Sequence, residues 1–101
     1  MTPAEKLEAM LAAGVDTAVL RFTLGSKYLE AGEIQRALEH LLVAVSLDPD
    51  YSAAWKVLGK AQGEAGLVDE ALETYQKGIE VANRQGDLQA AREMEVFRKR
   101  L

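Results

Sequence analysis

Apolar residues recur at helical spacing along most of this chain. Ile34, Ala37, Leu38, Leu41, Leu42 and Val45 follow the three- and four-residue steps that place one stripe along one side of a helix. Val68, Ala71, Leu72, Tyr75 and Ile79 do the same further on, and Leu7, Met10 and Leu11 mark a shorter stripe in residues 3–13. The stops are equally regular. Gly14, Gly32 and Gly66 can each take the left-handed conformation that closes a helix. Pro49, in the run "DPDY", cannot extend a helix and disfavours helical geometry at Asp48. Asp50 is expected to cap the helix carrying Trp55, and Asp87 to cap a last helix in residues 87–101, whose basic C-terminal end suits the helix dipole. The pattern predicts an all-α chain of about six helices.

The helices come in pairs that repeat. A shift of 34 residues lays residues 18–51 over 52–85 without a gap, and eight positions coincide: Leu24/Leu58, Gly25/Gly59, Glu30/Glu64, Ala31/Ala65, Gly32/Gly66, Ala37/Ala71, Leu38/Leu72 and Glu39/Glu73. Gly25 and Gly59 are the instructive pair. An interior helix glycine costs roughly 1 kcal/mol relative to alanine, so a matched one predicts a close approach between the two helices of a pair. Gly63 has no counterpart, because Leu29 stands there in the first copy; it either opens space on that face or loosens the helix.

These residues resemble the tetratricopeptide repeat, with its 34-residue WxxLGxxY…A…aromatic…P pattern. The second copy supplies Trp55, Leu58, Gly59, Ala71 and Tyr75, and the first supplies Leu24, Gly25, Tyr28, Ala37 and Pro49. Departures are Arg21 for Trp, Gln62 for Tyr, Leu41 for the aromatic, Gly78 for the usual alanine and Asn83 for Pro. The last predicts that the second copy's closing helix runs past its usual end. The resemblance implies a single domain over residues 1–101: an N-terminal capping helix (3–13), two repeats (18–51 and 52–85) and a C-terminal capping helix (87–101), stacked as a short right-handed superhelix. Caps are expected because each repeat leaves an apolar face that needs cover.

Composition narrows the function. A net charge of −4 and a pI near 5.0 oppose binding to a phosphate backbone, so nucleic acid is not an expected partner. The chain has no cysteine, which removes disulfides and thiolate metal sites. The first residues carry too many charges for a signal peptide, and no apolar run approaches a membrane span, so no membrane is expected and the default location is the cytoplasm. Catalysis has little support. His40 is alone and reads as a solvated surface residue; Asp48 and Asp50 are explained by helix termination and capping. Ser26, Ser46 and Ser52 have no histidine at an interpretable spacing, and "LGSK" and "LGK" lack a phosphate-cradling loop. No enzyme activity, cofactor or metal is expected. The cationic cluster Arg98, Lys99 and Arg100, with Arg92 upstream, reads as the solvated side of a capping helix.

The resemblance implies a concave groove lined by the first helix of each repeat and occupied by a peptide or protein segment. Its positions fall on Val19, Phe22, Ser26, Leu29 and Glu30 in the first copy and on Ala53, Lys56, Lys60, Gly63 and Glu64 in the second. If the last helix keeps the register, Asp87, Ala90, Met94 and Phe97 follow. Lys56 and Lys60 share a face and suit an acidic group, beside Phe22 and Leu29 for an apolar side chain. The leading expectation is a non-enzymatic adaptor or scaffold. The alternatives are a self-associating protein such as a homodimer, with Phe22, Met94 and Phe97 between chains, and a regulatory subunit of a larger complex.

Overall fold

Left-handed glycines end the first, second, fourth and fifth helices: Gly14, Gly32, Gly66 and Gly86 have φ of +96°, +79°, +78° and +76°. The computed structural model describes residues 1–101 as six helices: α1 (Pro3–Ala12), α2 (Ala18–Glu30), α3 (Ile34–Leu47), α4 (Ser52–Glu64), α5 (Val68–Arg84) and α6 (Leu88–Lys99). Side-chain caps start three of them. Thr2, Thr17 and Asp87 accept the backbone N–H of Glu5, Leu20 and Ala90, respectively. Asp50 does not cap α4, contrary to expectation. Tyr51 holds the cap position without a side-chain bond, and the Asp50 carboxylate instead accepts from Arg84 Nη2 at 2.7 Å. The helix begins one residue later than expected, so Asp50 lies before the cap position and its exposed carboxylate pairs with Arg84 instead.

Glycine sets the distance between paired helices. A Cβ at Gly25 would lie 2.7 Å from Leu41 Cγ, and one at Gly59 would collide with the ring of Tyr75, so α2 meets α3 and α4 meets α5 at closer range than alanine permits. Gly78 makes the third such contact. Its missing Cβ is replaced by Met94 Sδ and Trp55 Cβ, 2.5 and 2.8 Å from where it would lie, which draws α5 against both α4 and α6. Two apolar clusters result. Leu24, Leu41, Ala44 and Leu58 centre one, while Tyr75, Ile79, Ala91 and Met94 centre the other; Trp55 packs against both. The indole N–H donates to the Pro49 carbonyl at 2.8 Å, so the residue that ends α3 also orients the side chain joining the clusters.

α4 touches both α2 and α6, whereas α3 and α5 have no close approach. Helices that meet in one layer, backed by helices that diverge in the other, curve the stack toward the first layer. α2, α4 and α6 therefore form the concave side. α5 runs 17 residues against 14 for α3, as Asn83 in place of proline predicts, and the extra length moves α6 by two residues in the register. Leu20, Ala54 and Ala90 are equivalent in burial, and so are Leu24, Leu58 and Met94: the spacing is 34 residues between the first two of each set and 36 between the last two. At the N-terminal ends of α4 and α6, Ser52 Oγ donates to Asp87 Oδ2 at 2.8 Å while Ala90 N–H donates to Oδ1 at 3.2 Å. These bonds, with Lys56 nearby, hold the Asp87 carboxyl below the usual carboxylate range.

Two outcomes follow from these contacts. Thermal melting of Gly59→Ala is expected to show a loss of about 1–3 kcal/mol from overpacking. Gly63→Ala, whose Cβ would meet only Leu101 at 3.2 Å, is expected instead to gain up to roughly 1 kcal/mol in helix propensity. Equal melting temperatures would remove the glycine contact as the explanation. For Asp87, a depressed folded pKa means that its contribution is present above the unfolded value, about 3.9, and is lost as pH falls through the folded one. Melting temperatures measured on acidification should therefore fall more steeply for the parent than for Asp87→Asn, and parallel curves would refute the clasp.

Candidate functional site

Val19, Phe22, Ser26 and Leu29 fall on one side of α2, toward the concave face. Val19 is the most open, 62% exposed. Phe22 and Leu29 are half-buried against the first apolar cluster, and the Phe22 ring rests on Tyr51 with centroids 5.0 Å apart at 40°. Tyr51 thus belongs to this face, although its place in "DPDY" reads only as a turn. Burial, followed by the nearby Asp48 charge, raises its hydroxyl above the ordinary tyrosine value. Ser26 Oγ is buried with no hydrogen-bond partner.

The second-repeat positions are engaged from within the chain. Lys56 Nζ lies 3.3 Å from Glu93 Oε2 on α6, and Lys60 Nζ sits 5.7 Å above the centre of the Phe97 ring. Phe97 in turn meets Tyr75, centroids 6.1 Å apart at 45°. Tyr75 is pushed up to about 12, by burial first and by the charge of Glu64 second, so its hydroxyl stays protonated. Gly63 lies beneath the side chain of Leu101. Met94 departs from the expected groove set: it is wholly buried under Gly78, because the two-residue register change gives it the core place of Leu58 rather than the surface place of Lys60. Asp87 and Ala90, which the same register had put in the groove, are instead the cap of α6 and a buried core residue.

A second concavity, which sequence reasoning missed, opens between α1, α2 and α3. It is a polar recess of ≈1090 Å³ with Glu8, Arg21, Tyr28, Arg36 and His40 among its walls. His40 is not a solvated surface residue; only 7% of it is exposed. Arg21 explains the difference. Standing where the repeat pattern has tryptophan, it grips Asp16 through two bonds of 2.8 and 3.0 Å and donates a third to His40 Nδ1 at 3.0 Å. A guanidinium can only donate, so Nδ1 accepts and the ring proton is left on Nε2, 3.4 Å from Glu8 Oε1. Tyr28 stacks on the imidazole, centroids 5.6 Å apart, and donates to the same Glu8 oxygen at 2.8 Å.

The hydrogen bond to Arg21 holds Asp16 below the ordinary carboxylate range, and the bond to Glu8 raises Tyr28 above the ordinary tyrosine value. The charges in this recess satisfy one another, so its evident work is to fasten α1, which buries no residue of its own, to the first repeat. The only sequence signal for it was the arginine at the tryptophan position. No helix of the chain is long and apolar enough to cross a membrane.

Known proteins agree with this architecture. The solution structure of protein BPP2914 from Bordetella parapertussis superposes with a TM-score of 0.85 at 43% sequence identity, over 99% of this chain and 87% of that one. The heat-shock protein cognate co-chaperone sgt12 of Aspergillus fumigatus is 32% identical over 74 residues, 73% of this chain but 22% of that larger protein. The TPR repeat-containing protein PA0015 of Pseudomonas aeruginosa is 52% identical over 97 residues, 96% of this chain and 92% of its own length. The family model for the tetratricopeptide repeat matches residues 28–94. Paired helices locked at glycine, a 34-residue period and these relatives together establish that the chain belongs to the tetratricopeptide repeat family.

Proposed function

We propose that this protein is a non-enzymatic interaction module that holds a peptide or protein segment against its concave face, as an adaptor or scaffold. The observation that carries this reading is the row on α2: Val19 is open to solvent beside half-buried Phe22 and Leu29, on the inner layer of the stack and one helix away from Lys56 and Lys60. An apolar row next to cationic side chains suits a segment that alternates apolar and acidic residues. The similarity to a co-chaperone supports a protein as the ligand. The polar recess is the weaker site for a partner, since a ligand there would break the bonds that fasten α1 to the first repeat.

The test is capture of partners on tagged protein from its native host, followed by titration of the captured segment. Val19→Glu changes a residue that is 62% exposed, so the fold should be kept while affinity falls at least tenfold, roughly 1.4 kcal/mol. Unchanged affinity for every captured partner would exclude the α2 face. Sedimentation over a range of concentrations separates the remaining reading: a dimer that Val19→Glu dissociates would make a second copy the occupant.

A further inference from the structure

The outer side of α6 differs from the faces on which the other helices pair. α2 and α4 receive α3 and α5 at Gly25 and Gly59. The two-residue register change puts Glu95 at the corresponding place in α6. A helix that packed on α6 as α5 packs on α4 would strike that side chain. Any helix on this face must therefore stand farther off, at a distance where side chains interdigitate.

Leu88, Arg92, Glu95 and Lys99 form the ridge that such a helix would meet. They are spaced by four, three and four residues, which keeps them on one side of α6. All four are exposed, Leu88 to 56%. None of the three charged residues has an ion-pair partner within the chain. The order along the ridge is apolar, cation, anion, cation, and it complements itself when reversed. An antiparallel copy, related by a two-fold axis passing between Glu93 and Met94, sets each Arg92 opposite the Glu95 of the other copy. The same axis sets each Leu88 opposite the methylene stem of the other Lys99. A parallel copy in register would oppose like charges instead. Val96, 45% exposed, flanks the ridge, and the two copies bring it to the same margin of the contact. A shallow depression of ≈140 Å³ beside Leu88, with Asn83 and Ala91 among its walls, leaves room for the incoming lysine stem.

We propose that the outer face of α6 is a homodimer interface, in which two copies pack α6 against α6 in antiparallel fashion. The occupant is a second copy because the ridge is complementary to itself. One helix face falls short of the roughly 800 Å² per partner that a stable interface buries, so the dimer is weak, with a dissociation constant on the order of 100 μM. α2 makes no contact with α6, so the open row at Val19 stays free in both copies. The dimer is thereby bivalent, and a target that carries two segments is held more tightly without any new kind of contact.

Sedimentation of the full chain from about 10 μM to about 1 mM should show a reversible monomer–dimer equilibrium. Arg92→Glu makes the centre of the ridge wholly acidic and Glu95→Arg makes it wholly basic, so each variant alone should dimerise at least tenfold more weakly than the parent. Both positions are exposed, and circular dichroism should show that both variants keep their helices. Mixed in equal amounts, the two variants should associate with each other, and Arg92→Glu combined with Glu95→Arg in one chain should dimerise as the parent does. A parent that stays monomeric at the highest concentration, or folded variants that fail to associate on mixing, would overturn the proposal. A dimer that Val19→Glu dissociates and Arg92→Glu does not would also overturn it, by placing the second copy on the concave face. Failure here leaves the concave-face reading intact, since that reading is tested by the affinity of captured partners for Val19→Glu.

Discussion

The distance between paired helices is the constraint on which the rest of this molecule depends. At Gly25 and Gly59 the absence of one carbon lets Leu41 and Tyr75 press against the backbone of the facing helix. At Gly78 the same absence admits Met94 and Trp55. Between pairs, α4 meets α2 and α6 in one layer, while α3 and α5 stay apart in the other. The curvature, and the groove-facing row on α2, follow from that asymmetry. Each glycine gives up roughly 1 kcal/mol of helix propensity for a contact that any larger residue would push apart.

Local chemistry was enough to read the helices. Three- and four-residue spacing, Gly32 and Gly66 as stops and Asp87 as a cap are properties of short segments, and the structure reproduces them. Register and polar burial were harder because they depend on residues distant in sequence. Met94 suits both an exposed groove and a core, and only the length of α5 decides between them. His40 looks solvated until Arg21, Tyr28 and Glu8, contributed by two other helices, are brought around it. Asp50 missed its expected role by one residue, since α4 starts at Ser52 with Tyr51 at the cap position.

The two halves of the concave face are unlike. On α2 the apolar row is open at Val19, whereas on α4 the positions Lys56, Lys60 and Gly63 meet Glu93, Phe97 and Leu101 of the same chain. A bound segment would gain apolar contact at the first repeat without competition and would exchange existing contacts at the second. Under the proposed function, such a division would put affinity at the first repeat and selectivity at the second, because exchange rewards only a segment that replaces what it displaces.

Amide hydrogen exchange of the protein, free and bound to its captured partner, tests the central claim most directly. Added protection should be concentrated in α2, α4 and α6, with α3 and α5 unchanged on their outer sides. Protection confined to α3 and α5, or to the recess beneath α1, would contradict the account and place the functional surface on the opposite side of the stack.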